Sequence, residues 1–207
     1  MGRLTFLDKD ILTKCLILLV VLFVLGFFKT AFLFIFIFVS ILFLFRKKDI
    51  NLFELRGIGR NIVLSSFTGT VTELKNTEKD VFSLSCYIKL LDGYGLYFPT
   101  VAEVEDVKES KENIKFFGFL NCYHYRTQVN FRNKFEQKFS LDVYSRPFFP
   151  RPHIFLQVGD KGTVGALLGY IPFGGKVVIS IDGVDSLQTQ PKDKVASCQT
   201  VIANLKE

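Results

Sequence analysis

The sequence predicts a mainly β protein, an antiparallel β-sandwich or partly open barrel, preceded by an N-terminal transmembrane helical hairpin. Three observations carry this. Residues 11–45 are almost wholly apolar, broken only by Thr13, Lys14, Lys29, Thr30 and Ser40, so they present no polar face to water. From about Asn61 onward the apolar residues recur with a period of two, in runs rich in branched and aromatic side chains. Turn sequences bearing glycine separate those runs at short intervals. The 207 residues therefore divide into a membrane anchor, 1–48, and one β domain of ordinary size, 49–207.

The anchor comes first in the chain. A cleaved secretory leader would show one short apolar core and a small-residue cleavage site, whereas here a second apolar run and then Arg46, Lys47 and Lys48 follow the first. A single helix over residues 11–45 would extend roughly 50 Å against a hydrocarbon core of about 30 Å. Two helices, about 11–28 and 31–45, joined at residues 26–30, fit better. Arg3, Lys9 and Lys14 before the hairpin and Arg46, Lys47 and Lys48 after it place both ends on the cytoplasmic side, of the inner membrane if the source is bacterial, with Lys29 at the far tip. Through Lys48 there are seven Lys/Arg against two Asp/Glu, and in the remainder nineteen against eighteen. The net charge of +6 is thus concentrated beside the anchor, which points to anionic lipid as a partner and away from nucleic acid. Arg46, Lys47, Lys48, Arg56 and Arg60 are the candidate lipid-headgroup residues.

The β domain reads as the strands NIVLSSFTGTVTEL, DVFSLSCYIKLL, KFSLDVYS, HIFLQV, KVVISI and TVIANL, with turns at residues 91–93, 158–162, 173–175 and 181–183. Residues 100–113, dense in Glu, Asp and Lys, are expected as a short solvated helix or a charged loop. RPFFPRP, 146–152, is expected as a loop or sheet edge because its three prolines cannot donate to a ladder; Phe148 and Phe149 there either touch lipid or cap the core. A faint repeat relates residues 159–171 to 192–205, each a charged turn followed by a short apolar strand, as in barrels of the lipoyl- and biotin-carrier type whose halves are related by a pseudo-twofold. No MKM or DKA lysine motif accompanies it, so the repeat is architecture and not a carrier site.

Cys15, Cys86, Cys122 and Cys198 show no metal or redox spacing and read as buried reduced thiols. With only His124 and His153 for imidazole ligands, no metal site is expected. His124, alone between Tyr123 and Tyr125 on an alternating strand, reads most simply as a hydrogen-bonded structural residue.

Several local motifs share one order. FLFRKKD ends the anchor, LSSFTGTVTEL spans Leu64–Leu74, FFGFLNCYHYRTQVN spans Phe116–Asn130, GDKGTVGALLGYIPFGGKVV starts at Gly159, and DKVASCQTVIANL closes the chain. In that order they resemble the short bacterial, membrane-hairpin form of the phosphatidylserine decarboxylase family: its boundary after the hairpin, its SPADGxV strand, its FLSxxDVHxNRxP region, its cleavage segment and its GDxVxxGETVIA ending. The resemblance implies a pyruvoyl cofactor made by self-cleavage of a Gly-Ser pair, assisted by a His and an Asp, which then serves as the electron sink for decarboxylation.

Carried over position by position, the cleavage pair is Gly174-Gly175, the aspartate is Thr68 and the histidine is His124. Gly175 has no hydroxyl to attack the preceding carbonyl, so no pyruvoyl group is expected there. No Gly-Ser dipeptide occurs elsewhere; Ser180 lies within a strand, and the Gly162-Thr163 and Gly69-Thr70 pairs do not sit at the matching turn. The sequence thus favours a membrane-anchored, non-catalytic decarboxylase-like protein that binds lipid or a membrane protein partner, with homo-oligomerisation open. Two other readings are an active phosphatidylserine decarboxylase using a non-standard cleavage site and a structural subunit of a membrane assembly.

Overall fold

The computed structural model describes residues 9–24, 26, 28–44, 61–77, 81–90, 92–116, 120–147 and 149–206. The chain divides into two compact units, Met1–Lys48 and Asp49–Glu207. The first contains helices α1 (Lys9–Val24) and α2 (Phe28–Leu44), which pack on each other. They are joined at Gly26, whose φ of +75° suits glycine and whose N–H donates to the Phe23 carbonyl at 3.1 Å. The joint is shorter than expected: Lys29 and Thr30 belong to α2, because Phe28 and Phe32 both pack edge-on against Phe23 and draw the helix start back to the turn. At 16 and 17 residues the helices are about 24 and 26 Å long. No helix among the described residues is long and apolar enough to cross a membrane.

The second unit is built of β1 (Ile62–Leu64), β2 (Gly69–Thr77), β3 (Val81–Ile88), β4 (Gly95–Tyr97), β5 (Ala102–Phe116), β6 (Leu120–Asn133), β7 (Lys138–Ser145), β8 (His153–Ile154), β9 (Lys161–Gly162), β10 (Leu167–Tyr170), β11 (Gly175–Asp182), β12 (Val184–Leu187), β13 (Lys194–Val195) and β14 (Val201–Leu205). Eight of these form one antiparallel sheet, ordered β13-β2-β3-β11-β7-β6-β5-β9, that curls into a half-barrel. Two three-stranded sheets, β1-β14-β12 and β4-β10-β8, complete the unit.

Strand alternation gives the large sheet two unlike faces. Leu84, Cys86, Ile88, Val129, Phe131, Phe139, Leu141, Val143, Val177, Ile179 and Ile181 are buried on one. Phe98, which follows β4, packs on Phe131 at 5.6 Å between ring centroids, tying a small sheet to that apolar face. The alternate positions, among them Ser83, Tyr87, Gln128, Asn130, Ser140, Asp142, Tyr144, Ser180 and Asp182, make up a polar face.

The charged segment 100–113 is neither helix nor loop. It is most of β5, paired residue for residue with β6 from Ala102↔Asn133 to Phe116↔Leu120 apart from a bulge between Val104 and Asp106. Among its described side chains only Ala102 and Val104 are buried, and residues 108–112 beyond the bulge are exposed in succession, so the strand shows little apolar alternation. In RPFFPRP, half-buried Phe149 packs on Phe173 at 5.0 Å between ring centroids, while Phe148 lies outside the described residues.

The faint repeat corresponds to a pseudo-twofold between β7 and β11. β9 and β13 form the two edges of the large sheet, and β10 and β14 are the middle strands of the two small ones. Asp160 and Asp193 each accept a backbone N–H from the residue three earlier, Gln157 and Gln190, at 2.8 Å. Gly159 and Lys192, then Gly165 and Cys198, take positive φ at matching places. The bulges match as well, after Val71 in β2 and after Val104 in β5.

Candidate functional site

The family positions gather at one end of the large sheet. Gly69, just after Thr68, pairs with Val195 of β13, and the next residue, Thr70, with Tyr87 of β3; Gly175 starts β11 opposite Ile88 of β3 and Ser145 of β7; and Tyr125, just after His124, donates its N–H to the Ser145 hydroxyl at 3.1 Å. Thr68 and Gly175 are two strand spacings apart, and so are Gly175 and His124, roughly 10 Å in each case.

Their side chains do not converge. His124 shares the face of Arg126 and Tyr144, with its ring 5.4 Å from that of Tyr144. Position 175 belongs to the opposite series, with Val177, Ile179 and Ile181. A side chain added at 175 would collide with the Tyr144 carbonyl oxygen and come within 2.7 Å of Ile171 Cδ1. Gly174, at φ +74°, is equally enclosed: a Cβ there would strike the Ile88 carbonyl oxygen and lie 3.1 Å from that of Lys89. The pair therefore allows close passage of β11 between β3 and β7, and glycine is required on packing grounds as well as being inert.

Thr68 is committed to a loop contact, its hydroxyl accepting from Ser197 N and donating to Ser197 Oγ, each at 3.2 Å. The expectation of a hydrogen-bonded His124 is corrected in part: its Nε2 is buried without a partner, and the ring packs against Tyr144 at a tilt of 58°. His153 stacks on Tyr170 at 5.0 Å, and burial, with the Arg151 charge adding to it, holds its imidazole below the ordinary 6.5. Cys86 is fully buried, and burial pushes its thiol up to about 12, so it is no nucleophile. Among the described residues no group of three His, Cys, Asp or Glu could hold a metal ion. Arg46, Lys47, Lys48, Arg56 and Arg60 lie outside the described residues.

Sequence reasoning missed the arginine at this corner. Arg146 follows β7, donates from Nη2 to the Ile88 carbonyl at 3.2 Å and lies over the Tyr87 ring at 5.1 Å, so its side chain reaches across the start of β11 to β3. Beside it Arg126 bonds Asp142 through Nε and Nη2 at 2.9 and 2.8 Å, which raises the guanidinium's affinity for its proton, and lies 5.5 Å over Tyr144. The alternation Asp142, Tyr144, Arg146 in the sequence is the signal that places all three on one face.

No family model, curated protein or solved structure matches this chain. The decarboxylase resemblance rests on the motifs quoted above.

Proposed function

We propose that this chain is a membrane-held, non-catalytic protein of decarboxylase-like design, with helices α1 and α2 lodged in a bilayer and the β domain acting by binding on the cytoplasmic side. The observation that carries the membrane part is the outer surface of the hairpin. Thirteen described large apolar side chains of α1 and α2 are exposed, among them Val24 at 80%, Phe36 at 72% and Phe32 at 64%. In water each fully exposed Leu, Ile, Val or Phe forgoes about 1.5–3 kcal/mol of burial, so such a surface calls for a covering apolar phase. Helices of about 25 Å fall just short of a hydrocarbon core of about 30 Å. A hairpin with basic residues at both ends and Lys29 near its tip suits that depth, the lysine snorkelling to the far headgroups.

Loss of chemistry is supported by Gly175, which has neither a hydroxyl nor the room for one. His124, facing away from that position, has nothing there to activate. Anionic lipid is the partner the flanking Lys and Arg residues favour. The test is deletion of residues 1–45. The truncated chain is expected to leave the membrane fraction as a soluble β-rich domain; a truncation that still sediments with vesicles would place membrane affinity in the β domain itself.

A further inference from the structure

At the other end of β11 from Gly175, seven residues and about 23 Å away, the polar face of the large sheet holds a cavity of about 520 Å³. It crosses β3, β11, β7, β6 and β5, and its polar lining is made by Asn130, Ser140, Ser180, Lys138 and Asp182, with Glu105 and Asp106 at the bulge of β5. Two of the carboxylates are already paired, Asp106 with Lys108 at 2.6 Å and Glu105 with Arg132 at 2.6 Å, a guanidinium that also bonds Glu136 at 2.9 Å. Asp182 and Lys138 are not. They occupy the register position just beyond Ile181↔Phe139, opposite one another on β11 and β7, yet they form no ion pair within 4.0 Å and no side-chain hydrogen bond among the described residues. Among the described residues the cavity thus presents Asp182 and Lys138 side by side without an ion pair and, two residues along their strands and on the neighbouring β6, the Ser180 hydroxyl, bonded to Ser83 at 2.8 Å, the Ser140 hydroxyl and the Asn130 amide.

We propose that this cavity binds a small zwitterion, its ammonium on Asp182 and its phosphate or carboxylate on Lys138. A ligand with a single charge satisfies one of the two groups and leaves the other without a partner. A sugar would have hydroxyl partners but no aromatic face to lie on, because the Phe131 and Phe139 rings are 1% and 2% exposed on the other side of the sheet. The assignment uses residues of the β domain alone and stands whether or not α1 and α2 lie in a bilayer.

The test is titration calorimetry of the full chain in neutral detergent micelles with glycerophosphoethanolamine, and in parallel with glycerol 3-phosphate and ethanolamine as single-charge probes. Saturable binding at about millimolar Kd or tighter is expected for the zwitterion. Each single-charge probe should bind about tenfold more weakly, and the same loss is expected for the zwitterion on Lys138→Gln or Asp182→Asn. Adding phosphatidylethanolamine to the micelles distinguishes the sources: competition identifies a lipid headgroup, its absence a soluble compound, and both keep the site. No saturable heat, glycerol 3-phosphate binding as tightly as the zwitterion, or unchanged affinity in both folded variants would overturn the assignment.

Discussion

Gly175 shows how much one atom decides. The decarboxylase resemblance would put a hydroxyl there, and the fold leaves no room for a side chain at that position. Gly175→Ser is expected to stay one unbroken chain and to lose about 1–3 kcal/mol of stability through overpacking against Tyr144 and Ile171. Gly174→Ala should lose at least as much, because positive φ adds to its collision with Ile88. Chemical denaturation measures both, and wild-type stability in either would mean that β11 can shift. His153 gives a pH signature. Its folded-state affinity for protons lies below the unfolded one, chiefly through burial, with Arg151 adding to this and Glu109 opposing it. Its contribution to stability is then complete above pH 6.5 and is lost as the pH falls through the folded value. His153→Phe, which keeps the stacking on Tyr170, should flatten the fall in denaturation midpoint as the pH drops below 6.5; an unchanged slope would assign the fall to other groups.

At the scale of elements, legibility followed whether a strand meets the core. β3, β7, β11 and β14 each bury several apolar residues, β11 in strict alternation, and all four runs are plain in the sequence. β5 was not legible, since residues 108–112 are exposed in succession and the strand hydrogen-bonds to β6 without an apolar stripe there. The cavity was hidden for a related reason: Ser180 and Lys138 are unremarkable in their own strands, and only the register of β11, β7 and β6 brings them together. The Arg126–Asp142 pair, bridging β6 and β7 with the Asp142 side chain 12% exposed, should hold those strands together. Asp142→Ala is expected to cost about 1–3 kcal/mol by leaving a part-buried guanidinium unpaired. A loss no larger than that of an exposed pair such as Lys75–Glu73 would show that solvent reaches it freely.

For the whole molecule, the amino-acid sequence marks the division into an apolar hairpin and a β domain, and hints at the pseudo-twofold through one repeated turn and strand. Its full extent, with matched edges, bulges and middle strands, is a property of pairing, which depends on backbone geometry more than on side-chain identity. The apolar face of the half-barrel is filled, and position 175 and His124 lie on opposite faces of the sheet, the arrangement on which the proposed binding role rests. The most direct test is the intact mass of the full-length protein recovered from alkali-washed membranes. One unbroken chain of 23.7 kDa that the wash does not extract is expected. Two fragments, the smaller with an N-terminal ketoacyl group, or a chain released into the wash, would contradict it.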